Sequence, residues 1–301
     1  IRRIGENKET IYVCYVTSGD RKLEGVVTVK KLLLSNDDDV IEDIMDTNVI
    51  FAHTTDDQED VSEKISDYDL LAIPVVDKES RLVGIVTVDD IIDVMQEEVT
   101  EDIEKMAAIT PSDKPYLKQS VIYIWKNRIP WLLLLMISAT FTGMIISSFE
   151  SALATQVVLV GFIPMLMDTG GNSGSQTSAT IIRSISLGDI EFSDLFSILW
   201  KELRVAVLCG LSLAAVNFVK VMVVDRMLLG NTDISFTVAA VVCLTLALTV
   251  LAAKLMGCIL PMLAEKIGFD PAVMASPFIT TIVDAISLLV YFALATSILH
   301  I

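Results

Sequence analysis

A polar, glycine-rich stretch lies inside an apolar part of the chain, with the sequence GFIPMLMDTGGNSGSQTSATII from Gly161 to Ile182. Pro164 removes a backbone donor, and glycines weaken a continuous helix. Asp168 and Asn172 bring polar groups into a setting where hydrocarbon offers no hydrogen-bond partners. We therefore expect a broken helix that faces protein or a water-filled path, because intramembrane ionisable residues usually mark function. Close helix packing through small residues is the alternative left open.

The charge is divided unevenly along the chain. Residues 1–114 carry 28 Asp and Glu against 12 Lys and Arg, whereas residues 115–301 carry 11 against 10. An acidic, soluble part is therefore expected to precede an almost neutral, apolar part. The acidic balance argues against nucleic acid as a partner and favours cations. The four cysteines have no paired metal or redox spacing.

A motif occurs twice in the acidic part, as GVVTVKKLL at 25–33 and GIVTVDDII at 84–92. Each copy follows an apolar run and a turn, which predicts strand, turn, strand and helix. The repeat resembles a pair of CBS modules, which are small α/β domains that commonly bind regulatory ligands. We expect a partial first module over 1–36 and a second module over 37–95.

The CBS resemblance also implies a nucleotide site. In that family the pattern G-x-x-T-x-x-D can hold a nucleotide, with the Asp at the ribose hydroxyls. The second copy matches the pattern with Gly84, Thr87 and Asp90, whereas the first has Lys31 in place of the acid. ATP is therefore a candidate ligand at Thr87 and Asp90.

A connecting helix is predicted after the second module, because residues 93–108 contain no glycine or proline. Glu97 and Glu101 stack at a spacing of four residues, as do Glu98 and Asp102, and like charges at this spacing destabilise a helix. A bound cation would relieve the repulsion, and a solvated face is the alternative. We assign residues 96–116 to this segment.

The remaining residues, 117–301, are expected to form an all-α membrane domain. A bilayer is crossed by about twenty apolar residues, and five segments qualify: 129–149, 153–182, 203–224, 234–262 and 275–299. Lys254 in the fourth segment is expected to extend towards the headgroup layer. Positive residues concentrate before the first segment and in the loops after the second and fourth. They predict a cytoplasmic N-terminal module and an extracytoplasmic C-terminus.

The fifth segment carries a carboxylate, Asp284, roughly 15 Å into an apolar core of about 30 Å. Helical spacing predicts one polar stripe formed by Ser276, Thr280, Asp284, Ser287 and Tyr291. A charged carboxylate that faced lipid at this depth would be unfavourable by several kcal/mol. A mobile cation is therefore its expected partner.

The order of these parts resembles the MgtE-type magnesium channels over essentially all 301 residues. The resemblance rests on the CBS repeat, the acidic helix, the five spans, P-x-x-x-x-x-G-G-N-x-G-x-Q in the second span and S-P-F-x-T-T-x-x-D in the fifth. It implies a homodimer in the plasma membrane with a pore between the protomers, closed by cytoplasmic Mg²⁺ held at the CBS modules and the connecting helix. It also implies an N-terminal acidic helical domain that the sequence does not contain, so we expect a piece of a longer protein.

The resemblance further implies site residues. Asp284 matches the pore carboxylate that holds a hydrated Mg²⁺. The acids that would bind regulatory Mg²⁺ are Asp57, Glu59, Asp69, Asp90, Asp93, Glu98, Glu101, Asp102 and Asp270. The expected pore-lining residues are Gly170, Gly171, Asn172, Gly174, Ser276 and Thr280.

Other functions remain open on the residues alone. A proton- or sodium-coupled divalent cation exchanger could use the same carboxylates, and a Mg²⁺ sensor would not conduct at all. An intramembrane aspartyl protease would need two facing carboxylates in Tyr-Asp and Gly-x-Gly-Asp settings, and neither motif occurs here. Both histidines lie far from the glycine-rich stretch, so no general base is near it. We therefore expect the chain not to be an enzyme.

Overall fold

The structure, a computed structural model, describes residues 1, 5–112 and 114–301, with the backbone alone at Asn7 and Ser276. It separates into two compact units, Ile1–Thr100 and Glu101–Ile301. The division falls within one helix rather than at the composition change near Pro111. Each unit is therefore described by itself.

The first unit contains two small sheets, one from each copy of the repeated motif. Its elements are β1 (Val13–Thr17), β2 (Leu23–Thr28), α1 (Val29–Leu34), α2 (Ile41–Ile44), β3 (Ala52–His53), α3 (Gln58–Asp67), β4 (Ala72–Val76), β5 (Leu82–Thr87) and the first part of α4 (Val88–Met106). β1 and β2 form an antiparallel hairpin. β4 pairs with β3 in parallel and with β5 antiparallel.

The two copies of the motif also share local geometry. Each hairpin has a register shift near the end of its first strand, between Val16 and Thr17 and between Val75 and Val76. Each turn contains a residue with positive φ, 64° at Arg21 and 61° at Ser80. The predicted α/β fold is confirmed, with the core of the second copy formed by Ala52, Val61, Ile65, Ile73 and Ile91.

The second unit is helical. After the end of α4, its helices are α5 (Val121–Ser148), α6 (Glu150–Thr155), α7 (Ile163–Ser186), α8 (Leu195–Lys220), α9 (Phe236–Lys266) and α10 (Ser276–Leu299). A π-helix continues α8, and 3₁₀ turns precede α7, α8 and α10. α9 is the central helix, because it packs against α7, α8 and α10. α5 lies at the edge and contacts α10, where Trp131 meets Phe278 edge to face.

Four helices of the described chain are long and apolar enough to cross a bilayer: Val121–Ser148, Phe192–Leu228, Phe236–Lys266 and Pro271–Leu299. Together with the helical composition of this unit, they confirm the membrane-domain fold class. α7 does not pass the same criterion, because its polar residues lower its hydropathy. The count of five spans and the domain bounds stay predictions.

The glycine-rich stretch does not break the helix, contrary to expectation. α7 is continuous from Ile163 to Ser186, and its irregular part lies before it, in the 3₁₀ turn Val157–Phe162. Pro164 occupies the first turn of α7, where a missing donor costs nothing. The glycines stay helical because neighbouring helices pack closely on them.

Candidate functional site

One face of α7 consists of small residues buried against α9 and α10. A Cβ at Gly170 would lie 2.6 Å from Thr249 Cγ2, and one at Gly171 would lie 2.9 Å from Thr280 Cγ2. Gly174 is buried in the same way. The geometry favours the packing alternative for these glycines, since no larger residue permits such close helix approach. Their predicted place in a pore lining stays a prediction.

The opposite face of α7 is polar. Asp168, Asn172 and Gln176 recur at intervals of four residues, and all three side chains are exposed in the single chain. Hydrocarbon cannot satisfy such groups, so this face requires water or protein next to it. Of the residues predicted to line a pore on α7, Asn172 is the exposed one.

Asp284 lies half-buried on α10, beside the contact between α10 and α7. Asp168 lies on α7, the helix that packs against α10 here. Thr280, one turn before Asp284, is half-buried, and its hydroxyl donates to the Pro277 carbonyl over 3.0 Å. The side chain of Ser276 lies outside the part of the chain that the structure describes.

The polar stripe predicted on α10 is not one surface. Ser287 is fully buried and donates to the Val283 carbonyl over 2.6 Å. Tyr291 is also fully buried, and its hydroxyl donates to the Leu159 carbonyl over 3.0 Å. These two residues satisfy their polar groups inside the helix packing, so the accessible part of the stripe is limited to its first half.

Lys254 does not extend to a headgroup layer, and that prediction is wrong. The residue is 6% exposed, and its Nζ donates to Thr177 Oγ1 of α7 over 3.1 Å. The same Nζ lies 3.7 Å from Glu202 Oε2 of α8. The side chain is buried between α7, α8 and α9 and cannot reach water. Thr177 and Glu202 interact with its ammonium group instead.

The end of α4 belongs to the second unit and is held within it by ion pairs and hydrogen bonds. Lys105 forms salt bridges with Glu101 and with Asp270, which precedes α10; the second spans 2.5 Å. Ser186, at the end of α7, donates to Asp102 Oδ2 over 3.1 Å. Two of the predicted regulatory acids, Glu101 and Asp270, therefore share one lysine, and a third, Asp102, binds the end of α7.

The protonation behaviour of this cluster follows from its surroundings. Burial raises the pKa of Asp102, and the charges of Asp270 and Glu101 raise it further, against the lowering effects of Ser186 and Lys105. Burial lowers the pKa of Lys105, but its hydrogen bonds to Asp270 and Glu101 outweigh burial and raise it overall. Lys105 therefore stays charged, and it offsets the negative charges of Glu101 and Asp270.

The regulatory acids predicted in the first unit lie in several places. Asp57 caps α3 by accepting the backbone N–H of Glu59 over 3.0 Å, and Asp69 has a positive φ of 50° just after that helix. Asp93 is exposed on α4, and Glu98 accepts from the Gln58 amide over 2.5 Å. Among the described residues, no three His, Cys, Asp or Glu side chains come together as a metal-binding group.

The candidate nucleotide residues are adjacent at the start of α4. Thr87 is buried, and its hydroxyl donates to Asp90 Oδ2 over 2.9 Å. At the same place in the first copy, Thr28 accepts the backbone N–H of Lys31 over 3.2 Å. Asp90 is exposed, so its carboxylate remains available on the surface.

The sequence analysis missed the group of Thr177, Glu202 and Lys254 and the role of Lys105. A signal existed for the first, because a lysine in the middle of a long apolar helix requires a partner. Lys105 follows Glu101 at a spacing of four residues, which also favours an ion pair. The tertiary partners, Glu202 and Asp270, could not be read from spacing.

Two family models match the chain. The CBS domain model matches residues 41–97, and the MgtE model, described as a divalent cation transporter, matches residues 163–294. The second match begins at the start of α7 and ends within α10. The chain carries a CBS domain and an MgtE-family domain. The polar face of α7 and the carboxylate of α10 both belong to the MgtE-family domain.

Curated relatives extend the match along the whole chain. Magnesium transporter MgtE of Thermus thermophilus is 36% identical over 300 residues, which are 100% of this chain and 65% of the relative. Magnesium transporter MgtE of Bacillus subtilis is 38% identical over 304 residues, 100% of this chain and 64% of the relative. The chain thus spans less than two thirds of these relatives. Their names are those of transporters, in agreement with the expectation of a non-enzymatic chain.

A solved structure matches part of the chain. It is described as the cytosolic domain of the Mg²⁺ channel MgtE in complex with ATP, and it is 43% identical. The match covers 31% of this chain and 38% of the solved one, with a TM-score of 0.31.

Proposed function

We propose that the MgtE-family domain of this chain conducts Mg²⁺ across a membrane, with Asp284 at the pore. The observation that carries the proposal is the half-buried Asp284 carboxylate on an apolar helix that packs against α7. A carboxylate at membrane depth is unfavourable in lipid and attracts cations. Mg²⁺ gives up its water reluctantly, so carboxylates that hold a hydrated ion provide attraction without dehydration.

A homodimer is part of the proposal. The exposed polar face of α7, with Asn172 at its middle, is unsuited to lipid and suited to a water-filled path. A second copy related by a two-fold axis would place two Asp284 carboxylates and two polar faces around one path. The charge pattern favours a plasma-membrane protein whose acidic module is cytoplasmic and whose C-terminus is extracytoplasmic.

Regulation by cytoplasmic Mg²⁺ is proposed at two groups of acids. One is the cluster of Glu101, Asp102 and Asp270, which ties the end of α4 to the loop before α10. The other consists of the acids of the first unit named above, which would share loosely held, hydrated ions. Ions that bind better to the closed form shift the channel towards it. ATP binding at Thr87 and Asp90 is a further proposal, supported by their match to the CBS pattern.

The test is Mg²⁺ flux through the purified protein in liposomes. We expect Asp284→Asn to lower flux at least about tenfold, because the loss of a buried charge removes the attraction that offsets desolvation. Asp233→Asn, which removes a carboxylate from an exposed loop of the same domain, is the control and should leave flux unchanged. Equal flux in a folded Asp284→Asn protein would reject Asp284 as the pore residue.

The coupled exchanger is separated in the same liposomes. The carboxylates of Asp168 and Asp284 could carry protons or sodium as well as Mg²⁺, so the exchanger is the alternative to be tested. A channel follows the Mg²⁺ gradient and voltage alone, whereas an exchanger requires a proton or sodium gradient. A reversal potential that moves with pH or sodium at constant Mg²⁺ would favour the exchanger.

A further inference from the structure

The buried lysine of the membrane unit lies in a relay that joins three helices. Lys254 of α9 donates to Thr177 Oγ1 of α7 over 3.1 Å, and Thr177 Oγ1 donates to Glu202 Oε2 of α8 over 3.3 Å. The lysine side chain is 8% exposed and that of Glu202 is 20% exposed. None of these three residues belongs to the proposed cation path or to the regulatory acids.

The relay has an energetic consequence for the helices. A charge left without a partner in an apolar interior is strongly unfavourable, so Lys254 and Glu202 each require the other. α9 and α8 are therefore held at the level of this pair. The hydroxyl of Thr177 is the atom through which α7 joins them, and it both accepts and donates.

The relay lies beside a close approach of α7 and α9. Gly257 is one turn beyond Lys254, and a Cβ there would lie 2.6 Å from the Gly174 carbonyl oxygen and 3.1 Å from Thr177 Cβ. Such contact leaves α7 little freedom to slide or turn against α9. Small residues alone would allow α7 to slide along α9, whereas the hydrogen bonds of Thr177 fix the register of the two helices.

α7 is also the helix that carries the polar face. Asn172 and Gln176 are exposed on the side away from α9, and Gly171 packs on Thr280, one turn before Asp284. A shift of α7 would therefore move the polar face relative to the Asp284 carboxylate. Selectivity among hydrated cations depends on the distance and number of oxygen groups around the ion.

We propose that Lys254 and Glu202, through Thr177, are positioning residues that set α7 relative to Asp284 and so set cation selectivity. They do not touch the ion. The selectivity part rests on the proposed function, whereas the positioning of α7 does not. The two parts are therefore measured separately.

The first measurement is hydrogen exchange of α7 in the detergent-purified protein, which needs no conduction. Lys254→Met removes the cation partner of the Glu202 carboxylate, and Glu202→Gln leaves the buried charge of Lys254 without an anion, so we expect exchange over residues 170–177 to rise at least about tenfold. Lys254→Arg keeps the charge and should stay close to the parent. Lys220→Met, which removes the more exposed lysine that pairs with Asp225 at the end of α8, is the matched control. Unchanged exchange in Lys254→Met would overturn the positioning role.

The second measurement separates positioning from mere stability. The double variant Lys254→Met/Glu202→Leu removes both charges and fills their volume, so the protein should be as stable as the parent. Thr177 then lacks its polar anchors, and we expect the ratio of Mg²⁺ to Ca²⁺ flux in liposomes to change by about threefold or more. A double variant with the parent's stability, flux and ion ratio would overturn the proposal. If the parent itself conducts no divalent cation, the proposed function fails, and the exchange measurement still decides the positioning of α7.

Discussion

Gly257 of α9 lies against the backbone of Gly174 of α7, where an added Cβ would be 2.6 Å from the Gly174 carbonyl oxygen. A backbone carbonyl cannot move aside as a flexible side chain can. The contact therefore fixes the spacing of these two helices. It also explains why a helix with so many polar residues packs so deeply in an apolar unit.

The first prediction concerns this contact. Gly257→Ala should lower the unfolding free energy by about 1–3 kcal/mol, the usual effect of overpacking. Gly143→Ala is the matched control, because an added Cβ at this helical glycine of α5 meets no atom within 4 Å. Thermal unfolding of the two purified variants against the parent measures the difference. Equal destabilisation of both variants would contradict the contact.

The second prediction concerns the contact between α7 and α10. Gly171→Ala should reduce Mg²⁺ flux, because the new Cβ would lie 2.9 Å from Thr280 Cγ2 and push α10 away. Thr280→Ser removes that methyl group and keeps the hydroxyl, so the double variant should recover flux to within about twofold of the parent.

The control for this rescue is Thr281→Ser, which removes the equivalent methyl group from the next residue. Both threonines donate to the Pro277 carbonyl over 3.0 Å, so the two substitutions differ chiefly in which methyl group they remove. Rescue by Thr281→Ser as well would show that the effect is not the local clash.

Much of the fold could be predicted from the sequence because its signals are local. The repeated motif at Gly25 and Gly84 predicted both hairpins and the helices that follow them. Long apolar runs predicted five spans, and four of these coincide with helices long and apolar enough to cross a bilayer. Helix breaks and the interaction partners of side chains were harder to predict, because they depend on tertiary contacts. The glycines of α7 predicted a break, but α9 and α10 lie close enough to stabilise a straight helix.

The exposure of the candidate site residues could be predicted only in part. Asp284 and Asn172 are accessible or half-buried, as a cation path would require, and Ser287 and Tyr291 share their spacing yet are buried. Periodicity places these residues along a helix but does not identify the neighbour that covers each one. For the same reason, the burial of Lys254 could not be read from its position in an apolar segment.

The third prediction is a pH effect at Asp102. Its pKa is raised in the folded protein, mainly by burial. A folded state with a raised acid pKa gains stability as pH falls through that value, and the ionised form is unfavourable at neutral pH. Asp102→Asn keeps an acceptor for Ser186 and removes the charge. It should therefore raise the melting temperature at pH 7 by about 1–3 °C.

Unfolding measurements at lower pH test whether ionisation of Asp102 causes the stability gain. Protonated Asp102 and asparagine are both neutral, so the gain from Asp102→Asn should shrink as pH falls towards the ordinary range of aspartate. Asp93→Asn, at an exposed position of the same helix, is the control. A gain from Asp102→Asn that stays constant between pH 7 and pH 4 would rule out ionisation as its source.

The last prediction concerns Lys105 in the proposed gate. Its ammonium group bridges Glu101 and Asp270, so part of the attraction that holds the end of α4 comes from the chain itself. Lys105→Met leaves the carboxylates of Glu101, Asp102 and Asp270 to repel one another. The variant should need more Mg²⁺ to close, with a shift of about threefold or more in the half-closing concentration.

Asp270→Asn removes the other partner of the bridge, and the double variant should shift closure no further than the larger single effect, because the two residues act as a pair. Lys118→Met removes an exposed lysine between α4 and α5 and is the control. Mg²⁺ flux at stepped internal Mg²⁺ measures the shift, and parent-like closure in Lys105→Met would show that the bridge does not contribute to gating.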